Sequence, residues 1–271
     1  MDELSSSVAA QIRSLEEAHP LREPTLRRAI AALALPLGAR GLDVGCGIGL
    51  PALMLAESTR GPVTGLDLSA GLLAHARSRL AGHALADHLS FVQGDLTRLP
   101  FADGAFDWAV SVDCVGYPAG DILPALQEMA RVVRPGGTVA ILGWTSQKLL
   151  PGHPLLEAEL ESTCSAYAPF FRGKSPEAHF TRALPRLSEA GIMEGVVRTF
   201  VGQVQAPIGI EIRTALLSLF EMLWILGPGA PEPVRRHHER VCRPGSPEFI
   251  LDAPGYQAFF TYTMFSGTVS K

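Results

Sequence analysis

The chain has little charge and very little lysine. Charged residues make up 18% of its 271 residues, lysine occurs only at Lys148, Lys174 and Lys271, and the formal net charge is -4. A protein that binds a phosphate backbone normally carries a basic face. We therefore expect no nucleic-acid partner.

Long uninterrupted apolar runs are also missing. The most apolar stretch, residues 208–227, contains Glu211, Arg213 and Glu221, and charges at such depths disfavour a membrane span. The amino end, MDELSSSVAAQIRSLEEAHP, lacks the basic-then-apolar order of a secretory leader. We expect a cytoplasmic protein with no membrane span.

Cysteine is scarce and dispersed. Cys46, Cys114, Cys164 and Cys242 lie far apart and form no C-x-x-C pair. The usual spacings of structural zinc and redox sites are therefore absent. We predict no metal site and expect reduced thiols with mainly structural roles.

What the chain does have is ample apolar content, 47% of its residues, and an alternation of strand and helix patterns that favours an α/β fold with a parallel sheet. Two helices are predicted first, near residues 4–18 and 24–35. The predicted strands are 41–46, 63–68, 89–93, 108–112, 138–143, 196–204 and 256–269, and the helices between them are 51–58, 70–81 with Ser69 as N-cap, 122–133 and 176–190.

The alternation weakens after Gly143. If strand 196–204 runs parallel to the others and the last strand returns antiparallel, the segment 207–254 leaves from the carboxyl edge of the sheet, as does 145–175. Ligands of open α/β sheets bind at that edge. We therefore interpret both segments as lids over one site, within a division into an N-terminal helical cap (1–40), a core (41–144), a lid (145–175) and a C-terminal completion of the sheet (176–271) with a helical insertion at about 207–254.

A glycine-rich turn follows the first predicted strand. The pattern D-x-G-x-G-x-G begins at Asp43 and places Gly45, Gly47 and Gly49 between a strand and a helix, with Asp67 at the end of the next strand. Such a turn can direct backbone N–H groups at a ligand, and the second acid can accept hydrogen bonds from a ribose. The pattern indicates a nucleoside site. A dinucleotide is disfavoured, because Leu50 occupies the position where a dinucleotide fingerprint requires glycine or alanine.

Four stretches in sequence resemble the class I S-adenosylmethionine-dependent methyltransferases. They are the glycine turn, VTGLDLS, FVQGDLTRLPFADGAFDWAVS and EMARVVRPGGTVAIL, the last as in the quinone C-methyltransferases and related type 11 enzymes. The resemblance implies a Rossmann-like, doubly wound seven-stranded sheet with an antiparallel last strand and helical lid insertions. It also implies S-adenosylmethionine as the cofactor, held by Asp43, Gly45, Cys46, Gly47, Gly49, Asp67, Leu68, Asp95, Leu96, Ser111, Val112 and Asp113.

The resemblance leaves the acceptor open. Methyl transfer needs alignment and exclusion of water more than a dedicated base, and any of Tyr117, His153, Tyr167 and His179 can act as a base or orient a substrate, although a structural role is the commoner one for each. The chain lacks the N/D-P-P-Y/F motif of the adenine and glutamine amino-methyltransferases and the Pro-Cys pair of the cytosine C5 enzymes. We therefore predict a small, apolar or aromatic acceptor. The broad apolar surface of segment 208–226 predicts either a substrate cavity or a homodimer contact.

Three other functions stay open. A non-catalytic sensor or scaffold would bind the same cofactor without transferring its methyl group. Arsenite methyltransferases bind their substrate through cysteines, and Cys164 and Cys242 lie in the two lid segments, but their spacing differs from that family's pattern. A nicotinamide-dependent oxidoreductase is disfavoured by Leu50 and Asp43.

Overall fold

The computed structural model describes residues 2–117, 120–163, 173–224, 226 and 230–270. Seven strands form one sheet in the order β3-β2-β1-β4-β5-β7-β6. The strands are β1 Gly41–Val44, β2 Val63–Asp67, β3 Leu89–Gln93, β4 Phe106–Val112, β5 Val133–Lys148, β6 Ile192–Gln205 and β7 Gln257–Val269. The described helices are α1 Asp2–Ala32, α2 Leu50–Thr59, α3 Ala70–Leu80, α4 Leu123–Val132, α5 Pro154–Thr163, α6 Ala183–Glu189, α7 Ile210–Leu223 and α8 Glu232–Cys242.

The strand directions confirm the predicted fold class. β7 is antiparallel to both β5 and β6, between which it lies, and the remaining neighbouring pairs are parallel. Successive residues of the central strands enter two separate apolar clusters, since Trp108 and Val110 belong to one and Ala109 to the other. The sheet is therefore buried on both faces, which explains why its inner strands are continuously apolar.

The prediction of two N-terminal helices is wrong, because α1 continues through Pro20 and Pro24. Each proline removes one backbone hydrogen bond, but the helix buries a face formed by Leu21, Leu26 and Ile30. It also donates through Arg28 Nη2 to the Val201 carbonyl of β6, at 2.5 Å. Tertiary packing therefore outweighs the local preference for a break.

Strand β5 is much longer than predicted. Val133 pairs with Phe106 and Thr138 with Trp108, so the register shifts across the RPGG segment, which loops out as a bulge instead of separating helix from strand. At its other end β5 continues to Lys148 by pairing with β7. Residues 145–148 thus belong to the sheet, and the first segment that we interpreted as a lid begins beyond them.

The other elements differ from prediction mainly at their ends. Ser69 is the N-cap of α3, where its hydroxyl accepts from the Leu72 amide, and segment 94–105 contains no helix. Segment 176–190 contains two 3-10 turns before α6, so only its last part is an α-helix. Insertion 207–254 holds α7, α8 and one 3-10 turn, and none of the described helices is long and apolar enough to cross a bilayer.

An aromatic cluster fixes β5 against β7. Trp144 stacks on Phe260 with ring centroids 4.4 Å apart, and Tyr262 meets Trp144 edge-on at 5.6 Å. A Cβ atom at Gly202 of β6 would lie 2.1 Å from the Phe260 ring. This glycine therefore leaves the space that the ring occupies.

We expect Gly202→Ala to lower the free energy of unfolding by about 1–3 kcal/mol, because overpacking forces the stacked rings apart. Urea unfolding measures the change. Gly120→Ala is the matched control, since among the described residues a Cβ there meets only the Gly116 Cα, at 3.8 Å. Equal stability of the two variants would contradict the prediction.

Candidate functional site

A cavity of about 560 Å³ opens at the carboxyl edge of the sheet, within the size range of small-molecule sites. It lies where β1, β2 and β4 end, between α1 and α7. Of the residues predicted to bind the cofactor, these line it: Gly45, Cys46, Gly47, Asp67, Leu68, Val112 and Asp113. Sequence patterns therefore identified one side of the cavity.

The glycine turn is built from left-handed backbone. Gly45, Gly47 and Gly49 have φ of 77°, 54° and 78°, a conformation that costs other residues steric strain. A Cβ at Gly45 would lie 2.1 Å from Cys114 Sγ, and one at Gly49 would lie 2.9 Å from the Phe91 ring. Two of the glycines are thus also required by packing, and Gly47 alone faces more open space.

Four of the turn's amides donate to groups of the protein itself, contrary to the interpretation that these amides point at a ligand. The Gly45 and Cys46 amides donate to the Leu66 carbonyl at 2.7 and 2.9 Å, and the Gly49 amide donates to the Cys46 carbonyl. The Gly47 amide donates to Asp67 Oδ2 at 2.9 Å. A pyrophosphate-binding turn would leave such donors for the ligand, so this turn is unsuited to a pyrophosphate.

Asp67 joins the glycine turn to the end of β2. Its Oδ2 accepts from Gly47 and its Oδ1 accepts from the Ser69 amide, at 2.9 Å each. Each carboxylate oxygen has a further lone pair, and the residue lines the cavity beside Leu68, whose apolar side chain is 71% exposed. A fixed acid next to an open apolar surface can bind a ribose next to a base.

Asp43 is completely buried beneath the turn. Neither of its carboxyl oxygens has a hydrogen-bond partner of good geometry among the described residues. Burial, together with the nearby Asp67 carboxylate, raises the pKa of Asp43 to about 8, and the Ala52 amide opposes part of the rise. The group favours a positive charge nearby, but it does not itself line the cavity.

Asp113, after β4, joins three distant parts of the chain. Its Oδ1 accepts from the Trp144 amide at 2.9 Å, and its Oδ2 accepts from the Tyr262 hydroxyl at 2.8 Å and from Arg22 Nη2 of α1. Arg22 Nε also donates to the Tyr262 hydroxyl at 2.7 Å. Burial raises the Tyr262 pKa, so its proton stays on oxygen.

Other predicted cofactor residues lie outside the cavity lining. Ser111 is buried and donates to the Val44 carbonyl at 2.7 Å, which ties β4 to β1. Asp95 is exposed, and its Oδ1 accepts from the amide and hydroxyl of Thr97, both at 2.7 Å. Leu96 packs against the second apolar cluster. Their roles toward a cofactor stay predictions.

Among the predicted catalytic candidates that the structure describes, only Tyr117 lines the cavity. His153 Nδ1 lies 3.1 Å from His237 Nε2, between α5 and α8, and His179 lines a separate pocket near α4. Tyr167 lies outside the described residues. No described residue of 145–175 lines the cavity, whereas α7 of the second segment does. That the two segments act as lids stays a prediction.

The cavity thiols are not activated. Burial raises the pKa of Cys46, and that of Cys114 to about 12. Cys242 is buried away from the cavity, and Cys164 lies outside the described residues.

Sequence reasoning missed the wall of the cavity that α1 forms, and it gave the wall formed by α7 as one of two alternatives. One stripe of α1 lines it, formed by Gln11, Leu15, His19, Arg22 and Leu26, and α7 contributes Leu219, Met222 and Leu223. The helical spacing of the α1 stripe is visible in the sequence, but nothing there shows that it faces a ligand. For α7, the structure favours the cavity over the dimer contact, and homodimer formation stays a prediction.

Residues 42–137 match a family model described as a methyltransferase domain. The chain is 42% identical to the methyltransferase GfsG of Streptomyces halstedii over 40% of this chain and 39% of that protein. It is 34% identical to the demethylmenaquinone methyltransferase of Shouchella clausii over 53% of this chain and 59% of that protein. The chain thus aligns with about two fifths to three fifths of these relatives' lengths.

A solved structure shares the fold. It is geranyl diphosphate C-methyltransferase from Streptomyces coelicolor in complex with Mg²⁺, geranyl diphosphate and S-adenosyl-L-homocysteine, with a TM-score of 0.54, 14% identity, and coverage of 92% of this chain and 80% of that one. Residues 42–137 of this chain are therefore similar to a methyltransferase domain, and the chain shares the fold of this solved methyltransferase.

Proposed function

We propose that the protein transfers a methyl group from S-adenosylmethionine to a small, apolar or aromatic acceptor. The observation that carries this is the cavity itself, which has an acidic, glycine-lined end beside Asp67 and an apolar end beside α7. The matched domain and the relatives' names support the reaction type.

The acidic end fits a cationic nucleoside better than a dinucleotide. Four of the turn's amides are occupied, Asp43 lies buried behind the turn without a hydrogen-bond partner of good geometry among the described residues, and Asp67 stands at the cavity wall. A sulfonium with an ammonium group complements these acids, whereas a pyrophosphate would be repelled by them. This disfavours the nicotinamide-dependent alternative.

The chain's own residues suggest how the cofactor would be held. Asp67 would accept from the ribose hydroxyls, Leu68 would contact the base, and Cys46 and Gly47 would line the methionine half. When bound, the sulfonium supplies an electrophilic methyl group. The protein's contribution is to orient the acceptor and to exclude water.

The opposite end of the cavity suits an apolar acceptor. Leu26, Met54, Trp144, Leu219 and Leu223 contribute apolar surface there. Relatives and a structural neighbour named for quinone and geranyl diphosphate substrates are consistent with such an acceptor. We expect a carbon skeleton with few polar groups.

We expect Asp67→Asn to weaken binding of S-adenosylhomocysteine by about ten-fold or more, because charge-assisted hydrogen bonds to the ribose are lost. Isothermal titration calorimetry gives the dissociation constant. Asp103→Asn is the control, since Asp103 is exposed and pairs only with Arg131 among the interactions found for it.

Failure of the wild-type protein to bind S-adenosylhomocysteine would overturn the proposed function. Tight competition by nicotinamide nucleotides would favour an oxidoreductase instead. Binding without transfer of labelled methyl to any small molecule of a cell extract would favour a sensor or scaffold. Dependence of transfer on arsenite would favour the arsenite alternative.

Asp43 also predicts a pH dependence of stability. Its folded pKa lies above its unfolded pKa, so between pH 5 and 7 the folded state holds a proton that the unfolded state has lost, and stability falls as pH rises. We expect the wild type to lose about 1.4 kcal/mol per pH unit relative to Asp43→Asn.

Urea unfolding at pH 5, 6 and 7 measures this difference. Asp107→Asn serves as the control because Arg134 lowers the pKa of Asp107, which places its titration below this range. A constant difference between wild type and Asp43→Asn would contradict the prediction.

A further inference from the structure

Two polar side chains of α1 enter the cavity between its acidic and apolar ends. His19 and Arg22 are three residues apart, and such residues are neighbours on a helix surface. Arg22 approaches Asp113 and Tyr262, while Leu15, one turn before His19, lies over Gly47 with Cδ1 3.6 Å from a Cβ built there. His19 is therefore placed between the glycine turn and the Asp113 cluster.

Arg22 has donors left for a ligand. Its side chain is only 15% exposed, and two of its five N–H groups donate hydrogen bonds, one to Tyr262 and one to Asp113. The described residues provide no further acceptor for it. A mostly buried guanidinium with free donors at a cavity wall is suited to bind a ligand oxygen.

His19 lies beside an acid, and its surroundings favour the neutral imidazole. Its side chain is 17% exposed, and its Nε2 lies 3.5 Å from Glu23 Oε2. Burial lowers the pKa of His19, as do Arg22 and Arg27 of α1 and Arg79 of α3, against the opposing effect of Glu23. If Nε2 carries the proton toward Glu23, Nδ1 keeps a lone pair that can accept one.

We propose that the acceptor carries an acidic hydroxyl, as a phenol or an enol does, that Arg22 binds its oxygen, and that His19 is the catalytic proton acceptor. This rests on the proposed function and deepens it. The acceptor O–H bond breaks, its electron pair stays on oxygen, and the proton moves to the imidazole, which becomes an imidazolium beside Glu23. The oxygen, or the carbon conjugated with it, is then the nucleophile.

The main competing role for both residues is binding the carboxylate of the cofactor. The remaining donors of Arg22 suit either anion, but a neutral His19 attracts a carboxylate weakly. The two roles make different predictions for S-adenosylhomocysteine, since a carboxylate contact affects its affinity and a proton acceptor for the acceptor does not.

The test uses 4-nitrophenol as the probe, because its phenolate absorbs visible light. The probe is added to the full chain saturated with S-adenosylhomocysteine. The pH is one unit below the pKa of the probe, so that the free probe is mostly neutral. We expect the wild type to bind the probe as phenolate. Calorimetry in two buffers of different ionisation enthalpy should show no proton release, because the proton stays on the protein.

In His19→Asn we expect most of the bound probe to be neutral. Any probe that still binds as phenolate should release one proton per molecule into the buffer. The affinity for S-adenosylhomocysteine should change less than three-fold. In Arg22→Lys we expect phenolate affinity to fall about ten-fold with the fold intact. His75→Asn is the control, since His75 also pairs with a glutamate, Glu16, at 2.9 Å but does not line the cavity. It should behave as the wild type.

A wild type that binds S-adenosylhomocysteine but binds the probe in its neutral form, or not at all, would overturn the inference and leave the proposed function standing. A ten-fold loss of S-adenosylhomocysteine affinity in His19→Asn, with ionisation of the probe unchanged, would also overturn it and assign His19 to the cofactor. Absence of S-adenosylhomocysteine binding in the wild type would instead refute the proposed function.

Discussion

The ion pair between Arg22 and Asp113 is the constraint on which the cavity depends. It joins the first helix to the end of β4, and the Tyr262 hydroxyl and Trp144 amide bring β7 and β5 to the same carboxylate. A largely buried ion pair contributes little net stability, but loss of one partner leaves the other charge uncompensated. Its main effect is to fix where α1 lies over the sheet edge.

The electrostatics of the edge explain why a familiar glycine pattern does not imply a phosphate ligand. In this turn the amides point back into the protein, to the Leu66 carbonyl and to Asp67. The uncompensated groups that remain nearby are acidic. A glycine-rich turn after a strand therefore specifies a tight backbone, and the sign of the charge around it specifies the ligand.

Much of the fold was predictable because local signals agreed with one another. Ser69 predicted the start of α3, continuous apolar runs predicted buried strands, and the family resemblance implied the antiparallel last strand. The failures have physical causes. Packing of Leu21 and Leu26 overrides the prolines of α1, and pairing with β7 extends β5 beyond the point where its own pattern ends.

The site was predictable only where chemistry follows a short motif. Asp67 and Gly47 belong to one turn, and their hydrogen bond links neighbouring strand ends. Arg22 and Tyr262 are separated from Asp113 by long stretches of chain, so no spacing connects them, and only the fold brings them together. Asp95 shows the reverse, because its place in a motif did not bring it to the cavity wall.

The stripe of α1 and the inner face of α7 lie outside residues 42–137, which carry the family likeness. Substitutions at Leu15, Leu26 or Leu219 would reshape the chamber without touching the sheet edge that the relatives share. The chamber thus combines a sheet edge that lies within the matched domain with two helical walls that lie outside it. Its shape can change through side chains on those helices without any change of architecture.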